Sequence, residues 1–311
     1  MAGTGGTRVG WAFVIVVPSQ FAADTSAREG EAGRSWVQAL PGLVERYLDR
    51  WVLAPDGAPM HGYVALVLPV RGADGTPAVL KISWLDPESI PEPAALAAWA
   101  GHGVVRLLER ADHDGAMLLE RLDRARTLEN LPDDTAATAL LGAVLRRLDV
   151  PASAGIPRLA DVAARWAEAL PRDAERLGRP LPGRLIDAAV ATCRELGPDG
   201  DTLLHGDLHY ANVLAGEREP WLAIDPKGLA GDRGYEAAPP LWNRWAEITA
   251  AADPRRALLR RLAIVAEAAG IDLERARRWA QLRNVDNALG FRDHGGYPDA
   301  AVADQLARWL V

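Results

Sequence analysis

Residues 203–228, LLHGDLHYANVLAGEREPWLAIDPKG, set three oxygen-bearing side chains at fixed intervals: Asp207, Asn212 five positions later, and Asp225 thirteen beyond that. The apolar run WLAI at 221–224 reads as a strand that delivers Asp225 at its end. A loop followed by such a hairpin lets the three groups converge, and hard divalent cations prefer oxygen ligands. Phosphoryl transfer from ATP needs such a set: a carboxylate beside the attacking hydroxyl, with an amide and a second carboxylate as metal ligands under the phosphates.

The lysines sharpen this reading. Of 35 lysines and arginines only Lys81 and Lys227 are lysine. A chain so biased toward arginine keeps lysine where a compact point charge matters, because a guanidinium does not replace it. Lys81 stands in AVLKIS, a strand context like the VAIK strand of kinases, where lysine reaches the α- and β-phosphates. Glu88 and Glu92, four apart and able to share a helix face, are its candidate partners. Pro91 is placed to open that helix, which favours Glu92.

The surroundings divide into two. Residues 62–83 hold two apolar runs around the turn-rich hexad 72–77, a β-hairpin pattern. Residues 91–109 read as a short helix stopping near Gly101 and then a strand, and 115–122 as another strand. A helix is expected from Arg34 to Trp51, with Pro41 interrupting it or starting a turn. From Leu128 to Leu196 the pattern is helical, broken at Pro151, Pro157, Pro171 and Pro180–Pro182, and 240–311 is helical again. The expected fold class is α+β: a small β-rich lobe over 1–122 and a larger helical lobe over 123–311.

Composition excludes several functions. A net charge of −7 and the lack of a basic run argue against nucleic-acid binding and favour neutral or cationic ligands. The single cysteine, Cys193, allows no internal disulfide and no CxxC zinc site, and reads as a buried thiol. The run WAFVIVVP at 11–18 is too short to span a bilayer and reads as a packed N-terminal segment, behind a loose terminus at 1–10. The expectation is a cytoplasmic protein with no membrane partner, a monomer or weak homodimer.

LHGDLHYANVL, WLAIDPKGLAGDRGYE, AWAGHGVVRLLE and MLLERLD together resemble the aminoglycoside phosphotransferase superfamily, and within it the streptomycin 6-phosphotransferase and hydroxyurea phosphotransferase group. The resemblance runs from about Arg34 to the C-terminus. It implies a protein-kinase-like bilobal fold, ATP as donor and Mg²⁺ as cofactor. By motif position it implies Asp207 as catalytic base, Asn212 and Asp225 as metal ligands and Lys81 as phosphate anchor. The backbone of Glu120 to Leu122 would meet adenine. Two departures stand out: 56–66 carries only Gly57 and Gly62 where a phosphate-covering loop belongs, and Asp225-Pro226-Lys227 replaces Asp-Phe-Gly. The activation switching of protein kinases is therefore not carried over.

The implied acceptor is a small molecule, cationic in view of Asp286, Asp293 and Asp299, with Asp293 and His209 as candidate contacts. The expected activity is that of a streptomycin 6-kinase-like antibiotic kinase acting on a hydroxyl of an aminoglycoside or amino sugar, in a pocket that Gly290 and Phe291 reshape; the alternative is a neutral acceptor of the hydroxyurea type. His205 is expected to brace the loop, Asp232 to tie loops together, Trp242 and Trp245 to pack helices, and Lys227 to touch phosphate or serve structurally. Two rival classes remain. His205-x-Asp207-x-His209 could be the metal cluster of a hydrolase, since alternate strand residues share a face. A binding module without turnover would keep the same fold.

Overall fold

The hairpin at 62–83 forms as its pattern demands. In the computed structural model, which describes residues 15–311, strands β3 (Ala65–Arg71) and β4 (Pro77–Ser83) pair antiparallel from Ala65↔Ser83 to Arg71↔Pro77. Short strands β1 (Ala54–Pro55) and β2 (Met60–His61) pair with β3, while β5 (Leu107–Ala111) and β6 (Ala116–Glu120) extend the other side in the order β4-β6-β5. Alternation then sorts the side chains: Leu80 and Ile82 of β4 enter the core with Leu66, Leu68 and Val70 of β3 and Ala116 and Leu118 of β6. Lys81 therefore emerges from the opposite face, opposite Met117, and is itself buried.

Helix α1 (Ser19–Arg50) covers the core face and differs from expectation at both of its irregular points. It starts well before Arg34, because Phe21 and Thr25, one turn apart, are buried even though the stretch from Thr25 to Arg34 is polar and glycine-bearing. Phe21 meets Trp36 edge-on at 6.0 Å. The break falls at Gly30 (φ 62°, ψ −135°), whereas Pro41 lies inside the helix. A proline removes one N–H and crowds the preceding turn, and here the flanking Leu40 and Val44 are buried and hold the helix in place. Ile15 joins this core, as a packed N-terminal segment requires; residues 1–14 of that expectation lie outside the described residues.

The chain separates into two compact units. One comprises the chain up to Leu85 with Leu108–Arg121, and the other Asp86–Leu107 with Leu122–Val311. The stretch 86–107, which carries α2 (Glu92–Trp99), thus groups with the larger unit. Pro91 opens α2, and Ala100, left-handed at φ 50°, ends it ahead of Gly101.

The larger unit continues with β7 (Asp123–Thr127), α3 (Asp134–Arg147), α4 (Leu159–Arg176) and α5 (Gly183–Leu196). The breaks at Pro151, Pro157 and Pro180–Pro182 hold, but Pro171 sits within α4, whose buried Leu170 and Ala174 carry the packing across it. Strands β8 (Thr202–Leu204), β9 (Val213–Ala215), β10 (Leu222–Ala223) and β11 (Leu229–Gly231) form two small sheets, β10-β9-β7 and β11-β8. Then come α6 (Trp245–Ala250), α7 (Pro254–Ala269), α8 (Leu273–Asp293) and α9 (Tyr297–Trp309). The Asp133, Asp253 and Asp272 carboxylates cap α3, α7 and α8 by accepting first-turn N–H groups. One apolar core joins α4, α5 and α8 with Leu204 and Tyr235, and a second joins α6 to α9. Among the described residues no helix is long and apolar enough to cross a membrane.

Candidate active site

Strand β8 delivers His205 into the interior, and Gly206 then turns the chain. Its φ of 81° is a left-handed conformation that suits glycine, and a Cβ there would lie 3.2 Å from the Lys227 Cβ. The next residue, Asp207, is half-buried, with its main chain held from both sides. Its N–H donates to His205 Nδ1 at 3.3 Å, and its carbonyl accepts from Asn212 Nδ2 at 3.0 Å. Asn212 in turn donates its N–H to the His209 carbonyl at 3.0 Å.

The thirteen-residue interval is the length of a hairpin. Strand β9 starts directly after Asn212 and pairs with β10, with Ala223 opposite Val213, so Ile224 returns beside Asn212 and donates to its carbonyl at 3.0 Å. Asp225 follows at once, with φ 59°, a left-handed conformation uncommon for a side chain with a Cβ. Two further bonds hold β10: Ala223 donates to the Gly103 carbonyl, and Val105 donates to the Ala223 carbonyl, each at 2.9 Å. Asp207, Asn212 and Asp225 thus belong to one hydrogen-bonded loop and hairpin.

His205 ties the two halves. With Nδ1 accepting from Asp207, the ring is the neutral tautomer whose Nε2–H donates to the Ile224 carbonyl at 2.9 Å. Burial pushes the imidazole down to about 3, which keeps it neutral. The His205 carbonyl accepts the Lys227 N–H at 2.7 Å, and Trp99 lies over the ring at 6.4 Å. Both ring nitrogens are therefore engaged, so His205 is no metal ligand. Strand β8 ends at Leu204 and Gly206 breaks the alternation, which removes the hydrolase arrangement. Among the described residues no group of three or more His, Cys, Asp or Glu could hold a metal ion.

Sequence reasoning missed the residue that anchors this loop. Buried Glu236 accepts the N–H of His205 at 2.5 Å and of Gly206 at 3.0 Å, and burial pushes its carboxyl up to about 7. The only signal for it was an acid in GDRGYE with no local partner. Asp232 of the same stretch ties loops as expected, accepting from Arg275 and from Trp279 Nε1 at 2.9 Å.

Charges around Asp207 are mixed. Burial raises its carboxyl above the usual range, opposed by His209, Lys227 and Arg283 and reinforced by Glu88. Glu88 is engaged by Lys227, Nζ to Oε2 3.0 Å, while Glu92 is buried in the first turn of α2. Glu120 closes β6 opposite Ala78, in the smaller unit with Lys81, and half-buried Leu122 opens the second stretch of the larger one. Asp293 sits in an exposed ion pair with Arg176 at 2.5 Å that holds its carboxyl below the usual range. The desolvated carboxylate of α8 is instead Asp286, pushed up to about 6 by burial. Cys193 is buried, its thiol pushed up to about 12 by desolvation.

Comparison with known proteins places the chain among named kinases and phosphotransferases in sequence and fold. The chain is 46% identical to a streptomycin 6-kinase of Streptomyces glaucescens, over 96% of this chain and 97% of the relative. It is 44% identical to a hydroxyurea phosphotransferase of Kitasatospora aureofaciens, over 89% of this chain and 80% of that one. Among solved structures, the macrolide 2'-phosphotransferase of Brachybacterium faecium superposes with a TM-score of 0.53 at 18% identity. That match covers 87% of this chain and 98% of the other, a likeness of fold that makes this an α+β chain of protein-kinase-like architecture. Residues 50–295 match the profile described as aminoglycoside/hydroxyurea antibiotic resistance kinase, and the chain belongs to that family.

Proposed function

We propose that this protein is an ATP-dependent antibiotic kinase that moves the γ-phosphoryl group onto a hydroxyl of an aminoglycoside or amino sugar. The observation that carries the reading is the joining of one loop and hairpin: Asn212 Nδ2 donates to the Asp207 carbonyl, and Ile224, directly before Asp225, donates its N–H to the Asn212 carbonyl. Asp207 orients the acceptor hydroxyl and takes its proton, while that oxygen bonds to the transferred phosphorus and the β-phosphate leaves with the electrons of the broken bond. Lys81, in the smaller unit, holds phosphate oxygens, and the main chain from Glu120 to Leu122 receives the base.

The residues suit a hard cation. Asn212 spends its amide N–H on the Asp207 carbonyl, which orients its Oδ1 as a ligand, and Asp225 adds a carboxylate. They would hold Mg²⁺, which when bound supplies positive charge to the phosphate oxygens. Most of the acceleration then comes from positioning and charge stabilisation. The setting is the cytoplasm, where ATP is available.

The relative named for hydroxyurea supports a second reading, a neutral acceptor at the same Asp207. ATP consumption measured against streptomycin, other aminoglycosides, amino sugars and hydroxyurea decides between them. Turnover with none of these acceptors counts against the kinase reading itself.

A further inference from the structure

Lys227 is one of only two lysines in the chain, and the transfer described above uses the other, Lys81. The foot of its side chain is fixed. Its N–H donates to the His205 carbonyl at 2.7 Å, and its Cβ lies 3.2 Å from where a Cβ on Gly206 would stand. Gly228, left-handed at φ 62°, then brings the chain against α2, so close that a Cβ there would lie 3.0 Å from the Pro91 Cβ. The lysine therefore leaves the main chain beside the residue directly before Asp207.

The head is held loosely. Nζ lies 3.0 Å from Glu88 Oε2, and the Glu88 side chain is 71% exposed against 31% for the lysine. An ion pair with so exposed a partner adds little stability and exchanges readily. Glu88 stands in a turn fixed by Asp86 Oδ1, which accepts the N–H of Glu88 at 2.9 Å and of Ser89 at 2.7 Å. The Asp207 and Asp86 carboxylates bear on the same ammonium. All of these residues belong to the larger unit. The cations that bear on Asp207 are His209, Lys227 and Arg283. Arg283 is committed to the Tyr235 ring, 4.3 Å from its centroid, and His209 has no long stem. Lys227 alone joins a compact permanent charge to a flexible four-carbon stem at a fixed foot.

We propose that the Lys227 ammonium leaves Glu88 when ATP binds and donates to an equatorial oxygen of the phosphoryl group in flight, which makes it a catalytic residue of the transfer. Charge spreads over those oxygens as the group moves, and a donor aimed at developing charge lowers the barrier. The hydroxyl oxygen held by Asp207 bonds directly to the phosphorus. A cation that bears on the Asp207 carboxylate is thus placed beside the phosphoryl oxygens as well. Lys227 keeps its proton throughout, and no bond beyond those of the transfer forms or breaks. Glu88 gains a task in the free protein: it draws the ammonium away from Asp207, so the base is not consumed by an ion pair. Lys81 then anchors the phosphates at rest and Lys227 the one that moves. The proposal rests on the kinase reading above.

Titration calorimetry of ADP and Mg²⁺, with and without aluminium fluoride as a stand-in for the phosphoryl group in flight, tests it beside steady-state kinetics with the acceptors named above. Lys227→Met should leave ADP affinity nearly unchanged and weaken the fluoride complex about 10- to 100-fold, the scale of a charge-assisted hydrogen bond. Its kcat should fall about 10²- to 10³-fold with little change in KM for ATP, and Lys227→Arg should recover part of the loss. Glu88→Gln should tighten the fluoride complex several-fold, because the ammonium no longer has to leave a carboxylate. A lysine held only for structure predicts otherwise: both variants then break one ion pair and shift both complexes alike. That pattern, or wild-type affinity for the fluoride complex in Lys227→Met, overturns the proposal and leaves the kinase reading intact. A wild type that turns over none of the acceptors overturns the kinase reading and this proposal with it.

Discussion

Asn212 Nδ2 donates to the main-chain carbonyl of Asp207 over 3.0 Å, so the candidate metal ligand is oriented by the backbone of the candidate base and not by its carboxylate. Asp207→Asn therefore leaves Asn212 in place. It should lower kcat by about 10²- to 10⁴-fold, the contribution of a positioned general base, with little change in ATP affinity. Rapid-quench turnover alongside nucleotide binding checks this, and near-wild-type turnover would refute the assignment.

Asp225 at φ 59° carries backbone strain that glycine would not. Asp225→Gly and Asp225→Ala should both abolish Mg²⁺-dependent nucleotide binding. They should differ in stability by about 1 kcal/mol in favour of glycine, since alanine keeps the Cβ that penalises left-handed geometry. Urea unfolding of the two variants supplies the comparison, and equal midpoints would show that the strain is not in the backbone.

Glu236 accepts two buried N–H groups at once. Glutamine can accept only one of them, and its amide would press a donor against the other. Glu236→Gln should cost about 1–3 kcal/mol and reduce kcat by loosening the Asp207 loop. Hydrogen exchange at His205 and Gly206 would report the loosening directly. Unchanged protection there would place the anchor elsewhere.

The same pair shapes the acid profile. His205, lowered to about 3, makes the fold lose stability as pH falls below 6.5, because the unfolded chain takes up the proton first. Glu236, raised to about 7, makes it lose stability as pH rises from 4.5 toward 7, because the folded chain holds the proton longer. Between 4.5 and 6.5 the two slopes oppose each other, each near its full value of about 1.4 kcal/mol per pH unit. Glu236→Gln should therefore fall more steeply on acidification than wild type in that window. Parallel unfolding curves across the window would refute the pairing.

The sequence made the hairpin of Asp207, Asn212 and Asp225 legible because its parts lie close together along the chain. Two strands and one tight loop convert intervals of five and thirteen directly into proximity. The β3–β4 hairpin and α2 were legible for the same local reason, their turns and caps being written in glycine and proline. What escaped depends on partners distant in sequence. Glu236 reaches back 31 positions to His205, and Trp166 meets Tyr235 only because α4 and the 232–237 segment pack together. The early start of α1 escaped because Phe21 and Thr25 carry its packing through a stretch that otherwise reads as irregular.

His205 grips the Asp207 loop with one ring nitrogen, the Ile224 carbonyl with the other, and Lys227 with its own carbonyl. The Asp207 loop and the residue directly before Asp225 are thereby riveted to one neutral, interior residue. A change that loosens His205 should therefore displace Asp207 and Asp225 together.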